Sequence, residues 1–152
     1  MSKLLIILLL LFAGINLHAQ TGNPKFNQAL ADSLGADDYG MKQYIFVMLK
    51  TGKGEIPAKA VVDSLFAGHM QNIGRLVNEG KLIVAGPMQK NTAGYRGIFI
   101  LNVKTVDEAK LLLDTDPAIK AGLLDPELFQ WYGSAALPMY LKFHDHVKKR
   151  DF

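Results

Sequence analysis

The stretch that decides the fold is Ala58–Met88, AKAVVDSLFAGHMQNIGRLVNEGKLIVAGPM. Val62, Leu65, Phe66, Ile73, Leu76 and Val77 recur at spacings of three and four, which is the stripe of an amphipathic helix. Pro57 suits its first turn, and Gly80 suits the left-handed residue that ends it. Asp63, Gln71, Asn72, Arg75, Asn78 and Glu79 fall mostly on the other side and are expected to face solvent. A buried strand, Lys81-Leu82-Ile83-Val84-Ala85, follows and is expected to stop at Gly86-Pro87. His69 lies four residues after Leu65 and four before Ile73, so it belongs to the stripe and points at the sheet.

Working outward, the chain has 152 residues, room for one domain with a proper core. Lys3 followed by the apolar run Leu4–Ala13, with Leu17-His18-Ala19 before a cut at Gln20, has the outline of a secretory signal peptide over residues 1–19. The run is too short for a spanning helix, which needs about 20 apolar residues. An exported protein, periplasmic or secreted, is therefore expected, with no membrane association after cleavage. The chain has no cysteine, which removes disulfides, thiolate chemistry and cysteine-ligated metals. The formal charge of +3 comes without a basic patch beyond Lys148-Lys149-Arg150, and excludes nucleic acid as an expected partner.

Residues 20–40 read as a polar leader with one short helix through Phe26, Leu30 and Leu34. Lys42–Leu49 is a strand with Tyr44, Phe46 and Met48 on one face and Ile45, Val47 and Leu49 on the other, so both faces need cover. Thr51-Gly52-Lys53-Gly54 lacks the spacing of a phosphate loop and reads as a flexible connection. Tyr95–Val103 gives the strand that completes a hairpin with Leu82–Ala85. Thr105 and Glu108 form a capping box for a helix that stops at Asp116-Pro117, Ala118–Leu124 is a turn or helical stub, and Phe129–Ala136 is a last strand. A tail runs from 138 to 152.

The order strand, helix, strand, strand, helix, strand is the α+β, ferredoxin-like βαββαβ arrangement over residues 41–137: an antiparallel sheet with helices on one face. Two helices cover one side of such a sheet. The other side is apolar too, so face-to-face pairing of two sheets in a homodimer is the expected completion.

Gly68-His69-Met70, Gly74-Arg75-Leu76, Glu79-Gly80-Lys81-Leu82, Ala85-Gly86-Pro87, Asp107-Glu108-Ala109, and Asp116-Pro117 with Ala121-Gly122-Leu123 together resemble the YciI-like (YCII-related) family. The resemblance implies a dimeric α+β barrel and an active site built on a histidine and an aspartate. The matching positions are His69 and Asp116, since Asp125-Pro126 lacks the Ala-Gly-Leu continuation. One branch of the family is associated with dechlorination of a chlorinated hydroxyquinol. The signal peptide, the leader and the tail depart from the family's usual form.

Two readings of His69 stand side by side: a core histidine with satisfied ring nitrogens, and a base whose tautomer a carboxylate holds. Asp116 likewise reads as a turn-forming cap or as that carboxylate. Tyr44, Tyr95 and Trp131, with Tyr132, can line an apolar pocket for a ring-shaped ligand, or belong to core and dimer interface. Gly86 and Pro87 can shape a pocket rim. Arg75 is expected to be solvated, and His144 and His146 would share a face only in an extended tail, which makes a weak metal site. The expected function is cofactor-free acid–base chemistry, of lyase or isomerase type, on a small cyclic or aromatic molecule. The alternatives are a non-catalytic small-molecule-binding or sensing dimer and a structural interaction protein.

Overall fold

The computed structural model describes residues 22–55 and 58–150; the signal peptide read at residues 1–19, the cut at Gln20 and the helix-opening Pro57 lie outside them. A short helix α1 (Gln28–Leu34) leads into strand β1 (Met41–Thr51), helix α2 (Lys59–Asn78), strands β2 (Leu82–Pro87) and β3 (Tyr95–Leu101), helices α3 (Val106–Leu113) and α4 (Pro117–Lys120), strand β4 (Leu124–Ser134) and a last helix α5 (Leu141–Val147). The four strands form one antiparallel sheet in the order β2-β3-β1-β4. This is the α+β, ferredoxin-like order expected from the chain.

Local chemistry sets each boundary. Helix α2 ends where Gly80 takes a left-handed φ of 67° and Lys81 N–H reaches back to Leu76 C=O at 2.9 Å. Helix α3 begins with the reciprocal Thr105–Glu108 capping box. Strand β4 starts at Leu124, five residues before the expected start, and runs through Asp125-Pro126. A proline is tolerated there because β4 is the sheet edge. Strand β2 includes Gly86 and Pro87, which pair with Ile98 and Gly97, and ends at Pro87.

Alternation along β1 puts Ile45, Val47 and Leu49 on the face that α2, α3 and α4 cover, against Leu76, Phe99, Leu101, Ala109, Leu113 and Ala118. Burying each such aliphatic side chain contributes ~1.5–3 kcal/mol. The second face carries Tyr44, Ile83 and Ile100, and the start of the C-terminal tail lies on it. Leu137 and Leu141 pack on those three residues, and the Tyr140 hydroxyl donates to the Ile83 carbonyl. The residues after 136 thus cover part of the face that a second sheet was expected to fill.

The Thr51–Gly54 loop is also more constrained than a flexible connection. Gly52 and Gly54 N–H groups donate to Leu123 and Gly122 carbonyls at 2.9 and 3.0 Å, extending the ladder beyond β1. The leader is tied down at the opposite end: Lys42 donates to the Leu34 carbonyl, and the Tyr132 hydroxyl donates to Asp37. That bond pushes the Tyr132 hydroxyl up to about 12.

Candidate functional site

His69 sits on the sheet-facing side of α2, 8% exposed, above strand β3. Its ring stacks on Phe99 with centroids 5.9 Å apart and meets the edge of Phe66, also at 5.9 Å. Asp116 is fully buried at the start of α4. The two meet at 2.7 Å between His69 Nδ1 and Asp116 Oδ2.

The carboxylate divides its oxygens between two jobs. Oδ1 accepts from Ala118 N–H at 2.9 Å and Ile119 N–H at 3.3 Å, which caps α4. Oδ2 is left for the imidazole. One side chain thus caps the turn and meets the imidazole. Burial alone would push its carboxyl up, but the hydrogen bond and charge of His69 and the two backbone N–H donors outweigh it and hold the carboxyl below the ordinary aspartate value. An ionised carboxylate accepts only, so Nδ1 carries a proton, and in the neutral imidazole Nε2 is then the nitrogen with the lone pair. Among the described residues Nε2 has no hydrogen-bond partner, and no side-chain nitrogen or oxygen of a buried or half-buried described residue is sealed from solvent without one. The lone pair therefore opens outward.

What brings the pair together is a close approach of backbones. A Cβ on Gly68 would lie 2.8 Å from Pro117 Cγ, so only glycine lets α2 come this near to α4. Beside it runs a polar network that composition alone hid. Asn72, expected to face solvent, is 8% exposed. Arg75 is not free either: its guanidinium donates to Asn72 Oδ1 and Thr115 Oγ1, both at 2.8 Å, and to Glu79. Thr115 Oγ1 also lies 3.0 Å from Asn72 Oδ1 and 2.5 Å from the Leu112 carbonyl, two acceptors that share its single proton. Thr115 precedes Asp116, so the network fixes the turn that presents the carboxylate. The signal was available: Asn72 is three residues after His69 and shares its helix face.

The other expected site residues do not gather here. Tyr44 is fully buried on the opposite sheet face, its hydroxyl bonded to the Ser134 carbonyl at 2.9 Å, and is a core residue in this chain. Trp131 pairs with Tyr44 on that same far face, its ring folded over Gly133. Gly86 pairs with Ile98 and faces away, whereas Pro87 pairs with Gly97 on the His69 side, one pleat along from the Ala85–Phe99 pair. Tyr95 lines a separate cavity of ≈ 400 Å³ at the hairpin end, with Thr51, Met88, Lys90 and Arg96. His144 and His146 stand on helix α5, where residues two apart lie roughly 200° apart around the axis, and so do not share a face. Among the described residues no group of three or more His, Asp or Glu side chains could hold a metal ion, and no helix is long and apolar enough to cross a membrane.

No curated protein matches the chain. Among solved structures, 5-chloro-2-hydroxyhydroquinone dehydrochlorinase from Burkholderia phenoliruptrix AC1100, in complex with 2,5-dihydroxybenzoquinone, is similar at 21% sequence identity, over 57% of this chain and 92% of that one, with a TM-score of 0.42. The YCII-related domain matches residues 44–132, a span that holds all of α2, α3 and α4 and both members of the His69–Asp116 pair, while leaving out the leader and the C-terminal helix. On that match, over more than half of its length, the chain belongs to the YCII-related domain family.

Proposed function

We propose that this protein is an exported, homodimeric enzyme that moves a proton on a small cyclic or aromatic molecule without a cofactor, with His69 as the base and Asp116 as the partner that orients it. The carrying observation is the 2.7 Å contact between Nδ1 and Oδ2 at a buried position, with Nε2 unpartnered among the described residues. A base held this way takes a proton on Nε2, and the Asp116 carboxylate stabilises the imidazolium that forms. Returning the proton to another atom gives an isomerase; loss of a neighbouring leaving group gives a lyase. The Phe66 and Phe99 rings around the imidazole suit a flat apolar substrate. Export rests on residues 1–19, and the homodimer on Phe129, 51% exposed, and Trp131, 37% exposed, along the second sheet face.

The test is ¹⁵N NMR of labelled histidine in the mature protein, alongside deuterium exchange into a panel of cyclic enones, dienols and haloquinols. His69 should hold the Nδ1–H tautomer in the wild type. In Asp116→Asn the side-chain amide can donate to Nδ1 and drive the proton to Nε2, which removes the base. Exchange that is catalysed by wild type and lost in both His69→Ala and Asp116→Asn supports the reading. A tautomer indifferent to Asp116→Asn, or exchange that survives His69→Ala, refutes it.

A binding module is the second reading. The hairpin cavity favours it, since Tyr95, Lys90 and Arg96 line a hollow that contains neither His69 nor Asp116.

A further inference from the structure

The Asn72 amide is oriented with its donor end unused. Arg75 can only donate, so the Asn72 atom that meets its guanidinium at 2.8 Å must be the carbonyl oxygen. Thr115 Oγ1 lies at 3.0 Å from that same oxygen. The side chain is thereby fixed with Nδ2 pointing away from both. Nδ2 has no partner among the described residues, although the residue is only 8% exposed, and like His69 Nε2 it is not sealed from solvent. His69 and Asn72 are three apart on one helix, which brings their Cβ atoms to roughly 5–6 Å. One turn of α2 thus presents an unused acceptor and an unused donor side by side, each held by a partner behind it: Asp116 behind His69, and Arg75 with Thr115 behind Asn72.

We propose that Asn72 Nδ2 is the hydrogen-bond donor for the oxygen of a cyclic enone, quinone or phenol bound against His69, so that the pair recognises an ionisable C–H or O–H together with the oxygen that receives its charge. The inference rests on the acid–base reading of His69. When a C–H bond α to the carbonyl breaks, the proton goes to Nε2 and the electron pair moves onto the carbonyl oxygen, which becomes an enolate. Asn72 Nδ2–H donates to that oxygen as its charge develops. The donor is positioned before the reaction, which is the condition for such a bond to favour the transition state. Protonation at another ring carbon, or expulsion of a neighbouring substituent as an anion, completes the step. For a phenol the proton leaves oxygen itself, and the same donor holds the phenolate.

The experiment titrates 4-nitrophenol, whose phenol and phenolate forms absorb differently, into the mature protein while following the Asn72 side-chain amide and the His69 ring nitrogens by NMR. Both sets of signals should shift with one saturation curve, and the bound probe should be phenolate. Asn72→Asp keeps an oxygen for Arg75 and Thr115 but replaces the donor, and should weaken phenolate binding about tenfold or more. Asn72→Ser, which keeps a short donor, should lose less. A role confined to holding Arg75 predicts that Asn72→Asp binds as wild type, and that result overturns the inference. A shift of His69 without the Asn72 amide also overturns it while leaving the base in place. A shift of the amide alone keeps the donor and removes the base. No saturable shift in either overturns both.

Discussion

Gly68 and Pro117 meet at a distance that admits no side chain: a Cβ on the glycine would stand 2.8 Å from the proline Cγ. Each is the sequence neighbour of one member of the His69–Asp116 pair, so this contact sets how far apart the pair can be. Gly68→Ala gains about 1 kcal/mol of helix propensity but meets a ring that cannot swing aside. Overpacking of this kind costs about 1–3 kcal/mol. The expected result in urea denaturation is a net loss near 1 kcal/mol. The Nδ1–H signal of His69 should broaden or disappear in the same variant.

Asp116 makes stability depend on acid in a definite direction. Its carboxyl is held below the ordinary value of 3.8 in the folded protein, so the unfolded chain takes up the proton first as pH falls. The stabilisation is complete above that value and drains away as pH drops through the folded one. Asp116→Asn should cost about 1.5–3 kcal/mol at neutral pH, the worth of a hydrogen bond to a charged group, and should flatten the curve below pH 3.8. Denaturation midpoints between pH 2 and about pH 7 for both proteins would decide this.

The last helix is expected to contribute to stability. Leu141→Ala removes a side chain packed on Tyr44, Ile83 and Ile100 and should cost about 2 kcal/mol. Tyr140→Phe loses the bond to the Ile83 carbonyl and should cost about 1 kcal/mol. Unchanged unfolding midpoints in both would mean that the segment after residue 136 does not hold this face.

Gly52 is the position where a methyl group should do the most harm. A Cβ there would lie 1.9 Å from the Gly122 carbonyl oxygen, a backbone atom in a turn whose own φ is 71°. Gly52→Ala should lose about 3 kcal/mol, read from thermal or chemical unfolding. A stability within 0.5 kcal/mol of wild type, the range of ordinary surface changes, would refute the pinned-loop account.

The proposed dimer makes its own prediction. Phe129 is 51% exposed beside Phe46 on the second face. Phe129→Lys should shift sedimentation equilibrium toward monomer without altering the monomer's circular dichroism.

The sequence carried much of this and hid some of it for identifiable reasons. The βαββαβ order followed from periodicity and glycine stops, and the placement of His69 in the apolar stripe followed from spacing alone. Asn72 is polar and so reads as solvent-facing, yet its three-residue separation from His69 puts it on the buried face. The start of strand β4 before Phe129 is hidden because proline is disfavoured within a sheet, and only the sheet order shows that Pro126 stands at an edge. Leu137 and Leu141 have helical spacing, but nothing in the sequence shows that they pack on Tyr44, Ile83 and Ile100. The contacts of Gly52 with Gly122 and of Gly68 with Pro117 join distant parts of the chain, and nothing local announces them.

One carboxylate with two employments ties heredity to mechanism. Any substitution that offers α4 a different cap, however well it serves the turn, leaves His69 without its partner. Conversely, a lineage that abandons the imidazole would still need an acceptor at position 116 for the amides of Ala118 and Ile119. Asp116 can therefore outlive the proposed chemistry, whereas the proposed chemistry needs the carboxylate that position 116 supplies. Among relatives, an aspartate at this position is no sign of activity by itself. Its loss is a sign that activity of this kind has gone.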